Sequence, residues 1–424
     1  MKGMYIEWEK SLENPILQPL GLPRQFRDPF LWTEKVVEGD AGSHEQKDRM
    51  IVAAQRGLRG LVLMYEKDSS APVTSWKLKD ELWNTDRRYT SNPDAEDVHM
   101  VECPDFFPIM PNGDTYSEST ESCGQIYLLK YSLMSTRLDY YELGSYQNAR
   151  FLPNGVYGFI DHGAKFAYYA SKTFWDPKEQ RRVLWGWSSE TDDDKNDTRN
   201  WQGVMALPRY IEYDSSTGLV YMKPIPQIDQ LRGNAFDVDS SWNLDVSGEN
   251  ETLTYDLGIN SKQIDLILNA NLSTAVKDRD FVEIGVVLAA CGLSGGEDDS
   301  VHTSVGAHFD LTSNKIYTHY NTEHSEGTTP SENVMRPINI PNLSGEAFQS
   351  LYEKFELRVL IDHSIIEVFF GNGLAVATIR VYTPSVCDSI GLYTRGYSES
   401  GNSEAVSLQV EAHEMKAVHN VDME

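Results

Sequence analysis

The 424 residues contain no apolar run long enough to cross a bilayer; the longest, around Ile284 to Leu293, falls well short. Met1 to Lys10 alternates charge with apolar side chains and lacks the apolar core of a signal peptide. Basic residues are scarce. Lysine and arginine number 37 against 64 acids, a formal charge of −27 that repels phosphate backbones and anionic membranes. Nucleic acid and membrane partners are therefore not expected, whereas a neutral carbohydrate is indifferent to that field. The four cysteines (Cys103, Cys123, Cys291, Cys387) are too few and too scattered for a disulfide framework or a zinc site. Pairings Cys103–Cys123 and Cys291–Cys387 would respect the domain division below. No two histidines stand four apart, as a helical zinc pair requires, and no glycine-rich phosphate loop occurs. No metal and no organic cofactor is implied. Acidic runs at Asp192–Asp194 and Glu297–Asp299 read as solvated turns rather than calcium ligands. Asn-x-Ser/Thr triplets beginning at Asn196, Asn250, Asn271 and Asn342 lean slightly toward a secretory route.

Short strands are what the chain does have. Aromatics reach 11%, with nine Trp and 22 Tyr, enough for a substantial core and a strand bias. Runs such as Arg49–Gln55, Gly60–Tyr65, Thr74–Leu78, Gln125–Tyr131, Leu138–Tyr146, Phe166–Ser171, Val183–Trp187 and Gly203–Leu207 are rich in Val, Ile, Leu, Tyr or Trp. Gly, Asp, Asn or Pro bounds each of them, and no window among them sustains a helical period. They read as about three blade-like units. Lys223 to Asp237, with Pro224 and Pro226, interrupts the pattern as a connector. Beyond it, Leu357–Ile361, Ile365–Phe370, Ala375–Val381 and Ser389–Tyr393 are joined by tight turns, which fits an antiparallel sandwich. The expected division is a domain at 1–223, a linker at 224–236 and a second domain at 237–424.

Three acids open the blade-like units: Asp28, Glu102 and Asp161. Their spacing is somewhat longer than the roughly 40–50 residues of common four-stranded blades. In a propeller the first strand of every blade lines the central channel, so such acids would converge in one funnel. Converging carboxylates are the equipment of glycoside hydrolysis. Glu102 precedes Cys103-Pro104 and the apolar Phe106-Phe107-Pro108, at the mouth of a buried strand. A carboxylate losing solvation there tends to hold a proton that it can deliver to a leaving oxygen. The plainer reading is a strand-end acid paired with an arginine. Asp28, between Arg27 and Pro29, makes a stiff acidic pedestal suited to sugar hydroxyls, or else a turn with a local ion pair. Asp161 sits in Asp-His-Gly, an ordinary turn sequence. Asp105 competes with Glu102, but strand alternation and Pro104 set it behind. Asp362-His363-Ser364 holds the three triad residue types, yet contiguous turn residues cannot adopt triad geometry.

Several segments taken together resemble glycoside hydrolase family 32, which holds invertases, fructan hydrolases and plant-type fructosyltransferases. They are Phe26-Arg27-Asp28-Pro29, Glu102 to Pro108, Tyr169 to Phe174, Arg182 to Trp187, Leu207-Pro208-Arg209 and Val359 to Glu367. The resemblance implies an all-β chain: a partial five-bladed β-propeller, about three blades present, followed by a C-terminal β-sandwich. It matches Glu102 to the family's general acid/base and Asp28 to its transition-state stabiliser, with Arg27 beside it. Asp161 matches a site-shaping aspartate, and Cys103 the cysteine beside the acid. The family's nucleophile lies in a Trp-Met-Asn-Asp-Pro-Asn-Gly segment that this sequence does not contain; Met110-Pro111-Asn112-Gly113-Asp114 echoes it only superficially. Met134 and Arg137 stand where plant invertases carry an Asp and a Lys on the glucose side of sucrose. The resemblance thus implies a retaining β-fructofuranosidase-like hydrolase for sucrose or fructans, extracellular or vacuolar, without its nucleophile. The alternatives are an inactive carbohydrate-binding relic and a fructosyltransferase.

Overall fold

The computed structural model describes residues 9–19, 25–38, 43–96, 98–109, 125–190, 201–291, 293, 302–323, 325, 332–340, 345–382, 387–401 and 403–417. Cys123, both acidic runs, Met110–Asp114 and the triplets at Asn196 and Asn342 lie outside these residues. Among the described residues, those within 1–110, 115–136 and 141–157 form one compact unit, and those within 137–140 and 158–424 a second.

Among the described residues, the first half is three antiparallel sheets. Strands β1 (Phe26–Glu38), β2 (Ser43–Arg56), β3 (Arg59–Asp68) and β4 (Lys77–Asn84) pair in chain order. Strands β5 (Val101–Pro108), β6 (Tyr127–Leu133), β7 (Leu138–Gln147) and β8 (Arg150–Phe159) repeat that order. In the third sheet β9 (Tyr169–Asp176), β11 (Val204–Met205) and β12 (Arg209–Asp214) all pair with β10 (Arg181–Ser188), and β13 (Leu219–Pro224) follows β12. Met50 to Ala54 on β2 and Leu61 to Tyr65 on β3 are buried throughout. Both faces of those strands are covered, which is why they read as continuous apolar runs rather than alternating ones.

The first strand of each sheet carries the same defect. On β1, Arg27 pairs with Ala53 and Phe30 with Ile51, so Asp28 and Pro29 together oppose Val52. On β5, Glu102 pairs with Ser132 and Asp105 with Lys130, so Cys103 and Pro104 oppose Tyr131. On β9, Tyr169 pairs with Trp187 and Lys172 with Trp185, so Ala170 and Ser171 oppose Gly186. Each is a β-bulge, and each puts a non-glycine residue at positive φ: Asp28 at 59°, Cys103 at 48°, Ala170 at 53°. Such conformations cost about 1–3 kcal/mol apiece and persist only where their surroundings hold them. Space is tight as well: a Cβ on Gly186 would fall 2.3 Å from the Tyr168 ring.

The repeat corrects an alignment drawn from the sequence. Asp28 corresponds to Cys103 and Arg27 to Glu102, one position off the pairing of Asp28 with Glu102. Asp161 has no place in the series; it precedes β9, whose bulge is Ala170.

Among the described residues, the second half is a β-sandwich with one short helix. Its thirteen strands are β14 (Arg232–Ala235), β15 (Ser241–Val246), β16 (Glu249–Asn260), β17 (Gln263–Asn271), β18 (Phe281–Ala290), β19 (Thr303–Asp310), β20 (Lys315–Asn321), β21 (Asn333–Pro337), β22 (Phe355–Asp362), β23 (Ile365–Phe370), β24 (Ala375–Arg380), β25 (Ser389–Tyr397) and β26 (Glu404–Met415). One sheet runs β14–β26–β17–β22–β23–β24 with β15 also on β26; the other runs β16–β25–β18–β19–β20–β21. Leu266, Leu268, Val359 and Val368 from the first meet Val282, Ile284, Val305 and Phe309 from the second in one core. Each such side chain contributes about 1.5–3 kcal/mol by leaving water. Helix α1 (Gly345–Glu353) adds Phe348 to that core. The stretch expected as a linker holds a 3-10 turn, Pro226–Leu231, and then β14. Cys291 and Cys387 form a disulfide.

Candidate active site

The bulges on β1 and β5 bring four of the five expected site residues together. Arg27 lies 2.9 Å from the Glu102 carboxylate through Nη2 and 3.9 Å from Asp28 through Nε. The Cys103 N–H donates to Asp28 Oδ2 at 3.0 Å. Arg27, Asp28 and Glu102 remain 33%, 28% and 18% exposed at their side chains, so a solute can reach all three. A bulge re-aims the residues around it, and here two of them aim one guanidinium and two carboxylates at the same spot. Glu102 thus meets a guanidinium, as the plainer reading of the sequence has it. Arg27 is steadied in turn by Gln25, which accepts from Nη1, and by Met134 Sδ at 3.8 Å from Nη2. Met134 is itself 40% exposed beside the cluster.

Beneath this surface lies a polar layer of which the sequence reading named only Asp105. Lys130 is fully buried and its Nζ donates to the Cys103 carbonyl at 3.0 Å. Asp105, directly across the ladder, is equally buried. Tyr131, which opposes the bulge, donates through its hydroxyl to Glu142 at 2.8 Å; Thr90 and the Ser91 N–H also donate to that carboxylate. Burial holds the Glu142 carboxyl above its ordinary range, with the bonds from Ser91, Thr90 and Tyr131 pulling the other way. One sequence signal was available: Arg-Asp-Pro and Glu-Cys-Pro share a charged residue, a small residue and a proline, and aligning them would have found both bulges.

Asp161, matched in the sequence to a site-shaping aspartate, is enclosed by protein. It is 2% exposed, and its oxygens accept from the Gly163 N–H at 2.8 Å, the Thr378 N–H at 2.9 Å and the Thr378 hydroxyl at 2.6 Å. Arg209, fully buried, stands 2.9 Å from Asp161 and 2.8 Å from Glu367, over the ring of Tyr168 at 4.0 Å. Glu367 also accepts from the Leu207 N–H at 2.8 Å. Burial raises the Glu367 carboxyl even against the charge of Arg209. The turn Asp161-His162-Gly163 closes onto β24, where a Cβ on Gly163 would fall 1.9 Å from the Thr378 carbonyl oxygen. A carboxylate so enclosed binds protein, not solute. Asp362-His363-Ser364 is the β22–β23 turn, with His363 at φ 52°. No group of three or more His, Cys, Asp and Glu side chains suited to a metal ion occurs among the described residues.

Residues 1–224 match the family model "Glycosyl hydrolases family 32 N-terminal domain", and residues 227–413 match "Glycosyl hydrolases family 32 C terminal". Among curated proteins, the chain is similar to the cell wall isozyme of beta-fructofuranosidase from Zea mays, at 32% identity over 90% of this chain and 65% of that protein. It is similar to an acid beta-fructofuranosidase from Vigna radiata var. radiata at 27% identity, over 89% of this chain and 58% of that one. The chain thus spans less than two thirds of the length of these relatives. Its fold is shared with fructan 1-exohydrolase IIa from Cichorium intybus at a TM-score of 0.69 and 22% identity, over 96% of this chain and 75% of that one. A variant of that exohydrolase has been solved in complex with 1-kestose.

Proposed function

The chain belongs to glycoside hydrolase family 32, and from that premise we propose that it works as the acid/base half of a retaining β-fructofuranosidase acting on sucrose or fructans. The observation that carries the reading is the solvent-facing cluster in which Arg27 bridges Glu102 and Asp28 across two matched bulges. In this reading Glu102 protonates the glycosidic oxygen and then takes a proton from the attacking water. Asp28, held by the Cys103 N–H, binds fructose hydroxyls and faces the positive charge that develops on the sugar ring. Arg27 bridges the two carboxylates and offsets part of their charge until sugar enters. The three bulged sheets are propeller blades in this account. The resemblance matches the attacking carboxylate to neither Glu102 nor Asp28; a retaining enzyme places that second acid about 5 Å from the first across the sugar, free to form an ester. The named relatives, and the disulfide Cys291–Cys387, which suits an oxidising compartment, support an extracellular or vacuolar setting.

The absence of a Trp-Met-Asn-Asp-Pro-Asn-Gly segment favours one second reading, a carbohydrate-binding protein that performs no hydrolysis. Fructose release from sucrose, 1-kestose and inulin separates the two. The chain by itself is expected to release almost none. Fused behind the nucleophile-bearing segment of a related enzyme it should gain turnover, and Glu102→Gln should then remove roughly 10²–10⁴-fold of it. A fusion that folds and binds sugar but stays inactive would favour the binding protein. Strong turnover by the unextended chain would overturn the assignment of the nucleophile elsewhere.

A further inference from the structure

A bulge leaves a backbone group without its ladder partner, and a buried group in that state must be satisfied some other way. The second and third sheets solve this with opposite chemistry. In the third sheet the bulge ends on Ser171, which has an N–H, and the buried Asp139 accepts from both that N–H, at 2.8 Å, and the Ser171 hydroxyl. In the second sheet the same position is Pro104. Proline has no N–H, so an acceptor there would have nothing to receive. The group in need is the preceding carbonyl, that of Cys103, and the side chain beneath it is a donor: Lys130, at 3.0 Å. An ammonium is costly to bury unless it is paired and hydrogen-bonded, so a fully buried lysine at this position needs a purpose.

We infer that Lys130 is a positioning residue of the candidate site: by holding the Cys103 carbonyl it fixes the left-handed turn whose N–H grips Asp28 and whose preceding residue is Glu102. The inference rests on the fructosidase reading only for what the site is used for. Its structural content is separate. Cys103 stands at φ 48° immediately before a proline, a place where the extended region is strongly favoured. With the Lys130 bond removed, the Cys103–Pro104 link would relax toward that region. The Cys103 amide would then turn away from Asp28, and Glu102 would shift off Arg27.

Selective ¹⁵N-cysteine labelling of the whole chain reads this directly. The Cys103 amide is identified by its disappearance in Cys103→Ser. In the unaltered chain that resonance should follow Asp28, shifting clearly on Asp28→Ala. In Lys130→Met the same Asp28→Ala change should no longer move it, with the Cys387 amide unmoved as a sign that the fold persists. Because Asp105 stands directly across the ladder from Lys130, the charge-balanced pair Lys130→Met with Asp105→Asn is measured beside it and should behave the same way. A Cys103 amide that still follows Asp28 unchanged in the balanced pair would overturn the inference. So would a Cys103 amide that never follows Asp28 in the unaltered chain. Binding of 1-kestose, measured on the same samples, decides the fructosidase reading separately: an unaltered chain that binds no sugar refutes that reading and leaves the role of Lys130 standing or falling on the amide alone.

Discussion

Two clusters in this protein are built from the same three parts, one arginine between two carboxylates, and they do opposite things. Arg209 with Asp161 and Glu367 is sealed, at 0% and 2% side-chain exposure, and the carboxylate oxygens are taken up by Thr378, Gly163 and Leu207. Arg27 with Asp28 and Glu102 is open, at 33%, 28% and 18%. The sealed cluster ties the turn before β9 and the strand β12 to β23 and β24. The open one keeps carboxylate surface available to a solute. Residue types do not separate a sealed ion network from an open site; exposure does.

The comparison breaks most visibly at Arg209. Arg209→Met strips the cation from two buried acids and should cost about 3–5 kcal/mol, read by denaturant unfolding, or prevent folding. A loss below about 1 kcal/mol would mean that water reaches the cluster and that it is not sealed. Isosteric neutralisation then sharpens the contrast. Asp161→Asn keeps the shape but leaves Arg209 with one carboxylate and should cost roughly 2–3 kcal/mol, less than losing the arginine.

The sandwich supplies a third polar cluster, and its test is pH. Glu283 on β18 accepts from His319 and Tyr393, both at 2.6 Å, and meets His308 at 3.3 Å; Arg395 lies on the neighbouring strand β25, directly across from Glu283. Burial would raise the Glu283 carboxyl, but the bonds from His308, His319 and Tyr393 outweigh it and bring it down to about 2. Burial would lower His319, and the bond and charge of Glu283 outweigh that and raise it. A raised histidine contributes stability fully below its ordinary value near 6.5, and that contribution fades as pH rises through the folded value. A lowered carboxyl contributes above its ordinary value near 4.5, and that fades as pH falls toward 2. The melting temperature should therefore peak between about pH 4.5 and 6.5, each tenfold change in proton affinity on folding being worth about 1.4 kcal/mol. His319→Gln should flatten the decline on the alkaline side. A profile that rises steadily through pH 8 would contradict the pairing.

The smallest expected effect belongs to Asp28→Asn. Asparagine tolerates positive φ as well as aspartate does, and the site is open, so stability should move by no more than about 0.5 kcal/mol in a thermal melt. A loss comparable to that of Asp161→Asn would erase the distinction between the two clusters.

The strand pattern was plain in the sequence because buried β2 and β3 are unbroken apolar runs and the sandwich hairpins carry turn residues such as Gly371-Asn372-Gly373. Strand β8 was overlooked because Pro153-Asn154-Gly155 reads as a turn, although the strand runs through it. The gathering of Arg27, Asp28 and Glu102 could be anticipated from Arg-Asp-Pro and Glu-Cys-Pro. What a linear reading could not supply was the bulge: with a two-residue strand period, one inserted residue moves every later side chain to the other face. That slip set Asp28 against Glu102 instead of Cys103 and admitted Asp161 to a series it does not belong to. Lys130 stayed hidden for a different reason. A lysine inside Tyr127–Leu133 looks like a solvent-facing residue of an alternating strand, and its burial goes with the bond it gives to the Cys103 carbonyl.

If the open cluster, and not the sealed one, holds sugar, isothermal titration of the chain with 1-kestose shows it most directly. The prediction is measurable heat with the unaltered chain, its loss in Asp28→Asn at unchanged melting temperature, and its retention in any Asp161→Asn protein that remains folded. Binding that survives Asp28→Asn at full strength, or that disappears with Asp161→Asn in a folded protein, would contradict it.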